Sequence, residues 1–404
     1  MRPISLGNVS YKVIIKILAR RLRSVMEKLV RPTQCSFVLG RQSSDNIIIT
    51  QEVIHSMRNK KGRKGWMAIK IDLEKAYDIL KWNFIEDTLS DIGLPSQFIS
   101  TIYSCISSAR MRVLWNGEAL DEFSPSRSIQ QGDPISPYIF VLCMERLSQL
   151  ISAAVEHGFW KPIKLNRESP DLSHLCFADD LILFAEATMD QANDIKRVLK
   201  AFCNSSGQRV SNDKTRVFFS RNVGNHVRSQ ISSTLQFSRT GDLGKYFGVP
   251  LIHSKVSKII YSDIINKMNL RLNSWKASSL SLAGRATLVR SVLSSLPSYT
   301  IQTTLIPIST SNLVDRKCRN FLWGETEHSR KIYLINWKDL SKPKASGGLD
   351  IRHTCDVNQA FMMKNGWGLV EKKDALCARV IRAKYNCGSD LLPRVERKNK
   401  SSNL

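Results

Sequence analysis

Acidic side chains are scarce in this chain of 404 residues: 35 Asp and Glu stand against 60 Lys and Arg, which gives a formal net charge of +25. A positive excess of this size favours a polyanionic partner, and nucleic acid is the first candidate. The alternative, a basic protein without such a partner, is weaker at this magnitude. The hydrophobic content of 42% is enough for two or three core-forming units in a chain of this length.

No Cys-x-x-Cys pair occurs among the nine cysteines, so the sequence indicates neither a zinc cluster nor a disulfide framework. Scattered thiols are typical of a reducing compartment. Met1 is not followed by a signal-peptide pattern, and we expect no apolar run to approach membrane-spanning length. The sequence therefore predicts a soluble, intracellular protein of the nucleus, the cytoplasm or both, with no membrane partner. It gives no indication of the oligomeric state.

A pair of acids interrupts two apolar runs near the middle of the chain. The stretch Phe177-Ala178-Asp179-Asp180 follows Leu175-Cys176 and precedes Leu181-Ile182-Leu183-Phe184. Each run has the length of a buried strand, and the acids fall where a tight turn would lie. Burying two carboxylates at such a bend is costly unless a cation shares the site. A solvent-facing turn is the alternative and, for this pair alone, the better interpretation.

Another acid ends a predicted strand. The segment Met67-Ala68-Ile69-Lys70-Ile71 has the pattern of a strand that ends at Asp72, and a helical pattern with Ile85 and Leu89 on one face follows. Catalytic groups are commonly presented from the end of a buried strand. The alternative, a helix N-cap, is the better interpretation of Asp72 alone.

The N-terminal part of the chain predicts an amphipathic helix from Tyr11. Ile14, Leu18 and Leu22 share one face, and basic residues such as Lys16 lie away from it. A basic helix face is most often solvated, but beside a nucleic-acid channel it would also contact phosphates.

Two further motifs shape the region between Asp72 and the acidic pair. Asn116-Gly117 is a strong hairpin signal. In Gln130-Gln131-Gly132-Asp133-Pro134-Ile135-Ser136-Pro137, the glycine permits close approach of the backbone to a ligand. The prolines suit the first turn of the apolar helix that is predicted next.

The order of these elements is that of a polymerase palm, and four motifs closely resemble the reverse transcriptase of LINE-type (non-LTR) retrotransposons, those of plants in particular. They are 71–78 (IDLEKAYD), 131–137 (QGDPISP), 177–180 (FADD) and 246–251 (YFGVPL). Residues 2–6, the loop 34–41 and Asp45-Asn46 also fit the family, and the resemblance covers essentially the whole chain.

The resemblance implies an α+β fold with right-hand polymerase architecture. Incomplete fingers and a palm with an antiparallel sheet would occupy residues 1–251, a helical thumb residues 252–310, and a connecting region with a basic tail residues 311–404. It also implies RNA-directed DNA polymerase activity on an RNA template with a DNA primer and dNTPs.

The chemistry of that activity uses two Mg²⁺ ions, with Mn²⁺ as a possible substitute, and Mg²⁺ prefers hard carboxylate oxygens. The resemblance makes Asp72 and Asp179 the bridging ligands, with Asp180 completing the site. The backbone carbonyl of Leu73 is a further candidate ligand. Asp78 and Asp133, the other acids nearby, are interpreted as structural.

The resemblance assigns binding roles to further residues. Tyr77 would exclude the 2′-hydroxyl of a ribonucleotide, although a core tyrosine is the alternative interpretation. Lys214 would assist the departure of pyrophosphate, although it could be an ordinary surface lysine. Nucleotide or template contacts are implied for Gln131 and Gly132. Two arginines of the fingers, Arg2 and Arg41, would contact the triphosphate or the template. The turn Tyr246-Phe247-Gly248 would contact the primer.

The chain also departs from the family pattern. Arg127-Ser128-Ile129-Gln130 stands where the family carries Arg-Gly-x-Arg, and the upstream endonuclease, earlier fingers segment and downstream Cys/His region of intact elements are not in this sequence. The sequence therefore predicts an N- and C-terminally truncated piece. Two alternatives stay open: a decayed remnant that only binds nucleic acid, and an RNA-dependent RNA polymerase, against which Tyr77 argues.

Overall fold

A computed structural model describes residues 7–252, 258–274, 279–325, 331–388 and 390, so the predictions for Arg2 lie outside the described residues. The chain divides into two compact units. The first comprises Met1–Asn46 and Ser56–Leu243, and the second comprises Ile47–His55 and Gly244–Leu404. Helix α2 (Ser43–Asn59) supplies residues to both.

The first unit contains a five-stranded sheet in the order β4-β5-β1-β6-β7. All neighbours are antiparallel except β7, which runs parallel to β6. Strand β1 lies in the middle and is buried along most of its length, which explains why its sequence is apolar on both faces. The strands are β1 (Trp66–Ile71), β4 (His174–Phe177), β5 (Asp180–Glu186), β6 (Arg216–Phe219) and β7 (Ser238–Arg239).

Helices share a hydrophobic core with this sheet. The predicted Asn116-Gly117 turn joins two short exposed strands, β2 (Leu114–Trp115) and β3 (Glu118–Ala119). The ends of α6 follow its capping residues: the Thr188 side chain accepts a hydrogen bond from the N–H of Gln191, and Gly207 takes a left-handed conformation. The helices are α1 (Val9–Leu29), α3 (Trp82–Asp91), α4 (Ser96–Ser107), α5 (Ser136–Glu156), α6 (Met189–Ser206) and α7 (Asn225–Leu235).

Helix α5 is the central helix of the first unit. It is the one helix, within the described part of the chain, that is long and apolar enough to cross a membrane by length and composition, which corrects the expectation that no run approaches that length. More than half of its apolar window is buried, and Ile139, Leu142 and Ile151 belong to the core. Because α5 packs against α1, α3 and α6, its apolar character follows from its central position.

The buried face of α1 differs from the predicted one. Ile15, not Ile14, faces the core: the exposed fraction is 0% for Ile15 and 48% for Ile14. Leu18 and Leu22 are buried as predicted. Because three apolar residues stand in a row at 13–15, periodicity alone did not determine which of them completes the buried stripe.

The second unit is mostly helical around its own core, to which Tyr261, Met268, Leu293 and Phe321 contribute. It opens with a short hairpin of β8 (Lys245–Tyr246) and β9 (Val249–Pro250). A π-helical segment, Val289–Leu293, continues α9. The helices are α8 (Ser262–Ser274), α9 (Leu282–Leu288), α10 (Ser298–Ile301), α11 (Ile308–Trp323), α12 (Trp337–Leu340), α13 (Thr354–Glu371) and α14 (Leu376–Lys384). The limits of a thumb and of a connecting region stay predictions.

The orientation of α1 gives a prediction for two adjacent isoleucines. Ile15→Ala removes a fully buried side chain and should lower the free energy of unfolding by about 2–5 kcal/mol. Ile14→Ala, at the exposed neighbouring position, should change it by less than about 0.5 kcal/mol. Urea denaturation followed by circular dichroism measures both. Equal losses in the two variants would contradict the observed orientation of the helix.

Candidate active site

The acidic pair lies at the turn between β4 and β5. Phe177 pairs with Asp180, so Ala178 and Asp179 form a two-residue hairpin turn. Ala178 adopts a positive φ of 51°, as such tight turns require. The carboxylates of Asp179 and Asp180 therefore lie at the end of a buried hairpin and are themselves only partly buried.

Asp72 lies at the same edge of the sheet. Ile71 pairs with Leu181 in the antiparallel register of β1 and β5. Asp72 follows Ile71, and Asp180 precedes Leu181, so both acids adjoin the last pair of this register. Their roles as metal ligands stay predictions.

The backbone of Asp72 is fixed from the opposite side, by the segment that leads into β6. The Asp72 carbonyl accepts a hydrogen bond from the N–H of Ser211 (2.9 Å), and its N–H donates to Oγ1 of Thr215 (3.2 Å). The side chain of Asp72 stays 44% exposed. Sequence reasoning missed Ser211 and Thr215, which have no motif of their own.

Lys214 approaches the acids from the same segment. Its Nζ atom lies 3.9 Å from Oδ1 of Asp72, and its side chain is 72% exposed. Solvent screens such a pair strongly, so its contribution to stability is small. The structure therefore puts Lys214 beside Asp72 with its side chain largely exposed; its role toward pyrophosphate stays a prediction.

The donor set can be compared with what Mg²⁺ requires. Among the described residues, no group of three or more His, Cys, Asp or Glu side chains converges as a ready-made metal cage. Mg²⁺ in nucleotidyl-transfer sites is typically held by one or two carboxylates together with substrate phosphates and water. The Leu73 carbonyl stays a predicted further ligand. The hard oxygens of Asp72, Asp179 and Asp180 fit this ion.

The other nucleotide-site candidates lie close to core elements. The ring of Tyr77 stacks on Phe140 of α5, with 4.6 Å between ring centroids and 13° between planes. Gln131 donates from Nε2 to Oδ1 of Asp78 (3.2 Å). Gly132 has a φ of +106°, a conformation that favours glycine. Their roles in nucleotide binding stay predictions.

Arg41 is bound to backbone rather than directed into solvent. Its guanidinium donates to the carbonyls of Val30 (2.7 Å), Arg31 (2.5 Å) and Gln34 (2.8 Å), and more weakly to that of Glu27 (3.4 Å). These bonds occupy carbonyls at the C-terminal end of α1 and in the loop after it. A contact of Arg41 with template stays a prediction.

The predicted primer turn lies in the second unit. Phe247 and Gly248 form the two-residue turn of the β8–β9 hairpin, both at positive φ, +51° and +78°. Tyr246 is fully buried, and its ring lies 3.7 Å from that of Phe247. The hairpin has the geometry expected of a tight turn, and its contact with primer stays a prediction.

A buried link between α1 and the Gly-Asp-Pro motif was not predicted. The hydroxyl of Tyr11 donates to Oδ2 of Asp133 (2.8 Å), whose exposed fraction is 4%. Burial raises the pKa of the Asp133 carboxyl, and the hydrogen bond from Tyr11 opposes this shift. Asp133 was interpreted as structural from the sequence, but its partner lies 122 residues away and gave no signal.

Comparison with known proteins decides the family. The profile described as "Reverse transcriptase (RNA-dependent DNA polymerase)" matches residues 1–251. The chain belongs to the reverse transcriptase family. The expectation of a reverse transcriptase with non-LTR relatives and an α+β polymerase fold is thereby confirmed.

The relatives of this reverse transcriptase include a retrotransposon polyprotein. It is 36% identical over 140 residues to a putative ribonuclease H protein of Arabidopsis thaliana, covering 35% of the chain and 23% of the relative. It is 31% identical over 214 residues to the Pol polyprotein of the type-2 retrotransposable element R2DM of Drosophila melanogaster, covering 53% and 19%. The chain therefore spans about a fifth of the length of these relatives.

Among solved structures, telomerase from Candida albicans in complex with a telomeric RNA fragment is similar at 11% identity and a TM-score of 0.45. The match covers 94% of this chain and 55% of that one.

The Tyr11–Asp133 link gives a pH-dependent prediction. Because the pKa of Asp133 is raised in the folded protein, its contribution to stability falls as pH rises from about 3.8, the ordinary value, through the folded pKa. Tyr11→Phe removes the donor to the ionised carboxylate and should cost about 1–3 kcal/mol near pH 7. The cost should be smaller near pH 4, where a larger fraction of the carboxyl is protonated because its pKa is raised.

Denaturation of wild type and variant at both pH values measures this difference. In an Asp133→Asn background the side chain no longer ionises, so Tyr11→Phe should cost the same at both pH values. If Tyr11→Phe costs the same free energy of unfolding at both pH values in the protein that keeps Asp133, the ionised carboxylate is not the partner that the Tyr11 hydroxyl stabilises.

Proposed function

We propose that this chain is the RNA-directed DNA polymerase domain of a non-LTR retrotransposon. It would extend the 3′-hydroxyl of a DNA primer with dNTPs on an RNA template. The observation that carries the proposal is the register of β1 against β5, which brings Asp72 to the turn that carries Asp179 and Asp180. The proposed compartment is the nucleus, the cytoplasm or both.

The three acids would hold two divalent cations together with the triphosphate. When bound, Mg²⁺, or Mn²⁺ as an alternative, would supply the positive charge that nucleotidyl transfer requires at the primer hydroxyl and the leaving oxygens. Asp72 and Asp179 would bridge the two ions, and Asp180 and the Leu73 carbonyl would complete the ligand set. The partial exposure of Asp72 supports direct access for a substrate.

Lys214 would bind the pyrophosphate as negative charge develops on it. Its ammonium lies 3.9 Å from Asp72 and is exposed, so a small rotation of a flexible side chain could redirect it to an incoming phosphate. Around the base and sugar, Tyr77, Gln131 and Gly132 would form the nucleotide pocket. The hairpin turn Tyr246-Phe247-Gly248 would contact the primer, with Arg2 and Arg41 toward the template.

Replacing one acid tests the catalytic assignment. Asp179→Ala should lower primer extension on an RNA template by roughly a hundred- to thousandfold or more, because positioned charges contribute at least that much to a transition state. Asp213→Ala, at an exposed acid beside Lys214, is the matched control and should retain activity.

The measurement is single-nucleotide extension of a labelled primer in Mg²⁺, with binding of the template–primer measured in parallel. If Asp179→Ala extends as well as the wild type, the chain does not use this site for catalysis. Binding without extension in both proteins would favour the alternative, a remnant that only binds nucleic acid.

Tyr77 provides a prediction about sugar selection. Tyr77→Ala should raise the ratio of ribonucleotide to deoxyribonucleotide incorporation by at least about tenfold, because the ring would no longer clash with the 2′-hydroxyl. Tyr77→Phe keeps the ring and its stacking on Phe140, so it should preserve the selectivity. An unchanged ratio in Tyr77→Ala would identify Tyr77 as a core residue, and a wild-type preference for ribonucleotides would revive the RNA polymerase alternative.

A further inference from the structure

The segment after α1 lies against strand β4, which is the edge strand of the sheet. Gln34 pairs with Cys176 in a parallel bridge. The N–H of Cys176 donates to the carbonyl of Thr33 (2.9 Å), and the N–H of Cys35 donates to the carbonyl of Cys176 (3.1 Å). The loop therefore extends the sheet by a short stretch of pairing next to the acidic turn.

Two side chains of this loop contact the turn itself. The N–H of Ala178 donates to Oγ of Ser36 at 2.8 Å and to Oε1 of Gln34 at 3.2 Å. Gln34 and Ser36 are each only 1% exposed. The hydroxyl of Ser36 donates in turn to Oε1 of Gln34 (3.0 Å), which leaves its lone pairs directed at the Ala178 N–H.

These hydrogen bonds reach a residue whose backbone conformation is unfavourable. Ala178 has a φ of +51°, a left-handed conformation that an L-residue with a Cβ adopts at a cost. It is also buried, so its N–H would lose free energy without an acceptor. Because Asp179 is the next residue, the orientation of the Ala178 peptide fixes where the Asp179 carboxylate can lie.

Asn46, at the start of α2, anchors the loop to the same strand. Its Nδ2 donates to the carbonyl of Cys176 (2.9 Å), and its Oδ1 accepts from Sγ of Cys35 (3.0 Å). Asn46 is 1% exposed. The loop, the strand and the turn are thus connected by buried hydrogen bonds whose partners lie more than 100 residues apart in sequence.

We propose that Ser36 and Gln34, anchored by Asn46, are positioning residues for metal binding. They hold the Ala178 peptide in its left-handed conformation and so keep the Asp179 carboxylate beside Asp72. This inference rests on the proposed function of the three acids. It assigns a role to the loop 34–41 and to Asn46, for which the sequence gave only a resemblance.

The test compares Ser36→Ala with a matched serine in the same unit. Ser220 is also buried, accepts from a backbone N–H (that of Trp66, 2.8 Å) and donates to a side-chain amide oxygen (that of Asn222, 2.7 Å). Trp66 begins β1, whereas Asp72 follows its other end. Both variants lose the same kind of hydrogen bond, so both should lose comparable thermal stability.

The decisive measurement is the affinity for Mn²⁺, obtained from the electron paramagnetic resonance signal of the free ion. A nonextendable template–primer and dNTP are present throughout. Ser36→Ala should weaken Mn²⁺ binding roughly tenfold, as expected for loss of a buried hydrogen-bond acceptor, whereas Ser220→Ala should leave it unchanged. The Mg²⁺ midpoint of primer extension should shift in parallel. Gln34→Met, which keeps the side-chain length without the acceptor, should resemble Ser36→Ala.

A second substitution tests whether Ser36 acts by holding the left-handed conformation of Ala178. Glycine adopts the conformation of Ala178 without strain. Ala178→Gly should therefore restore much of the Mn²⁺ affinity of Ser36→Ala, without restoring the lost hydrogen bond. If Ser36→Ala binds Mn²⁺ like the wild type, or if glycine gives no rescue, the positioning role is wrong. Asp179→Ala tests the proposed metal site separately from the positioning role. If Asp179→Ala binds Mn²⁺ as tightly as the wild type, the proposed site is wrong.

Discussion

The pairing of β1 with β5 is the interaction on which the candidate site depends. Without it, Asp72 is an acid at the end of one strand, and Asp179 and Asp180 are turn residues more than 100 positions away. The register is strongly specified because both strands are apolar and buried, and a slip of one residue would turn every buried side chain to the opposite face. Hydrophobic burial thus fixes the geometry of a charged site.

Local signals predicted much of this first unit. The strand that ends before Asp72 and the Asn116-Gly117 hairpin follow from patterns of a few residues, and the structure has both. The turn predicted at the acidic pair lies one residue earlier, at 178–179. Each depends on backbone conformations that particular residue types favour.

Long-range contacts were not predictable in the same way. The resemblance made Arg41 a candidate for template contact, which stays a prediction, but no local pattern indicated that its guanidinium binds four backbone carbonyls. Tyr11 and Asp133 meet only in the folded chain. For α1, a run of apolar residues left the buried face ambiguous between Ile14 and Ile15. Periodicity describes one element, whereas these features depend on which elements become neighbours.

The hydrogen bonds described for the candidate site hold backbone groups at or next to the acidic residues. The backbone of Asp72 is bound by Ser211 and Thr215, and the peptide before Asp179 is bound by Ser36 and Gln34. The carboxylates are left partly exposed. Such an arrangement fixes the backbone from which the carboxylates project.

The surroundings make the negative charge of these carboxylates tolerable. Three carboxylates at one edge of a sheet repel one another, and full neutralisation by ion pairs would remove the attraction for a cation. Here the exposed Lys214 lies 3.9 Å from Asp72, at the outer limit of an ion pair, in a chain of net charge +25. The basic field lowers the electrostatic cost of bringing acids together. Divalent cations would lower it further, because each brings more charge to the site than a lysine can.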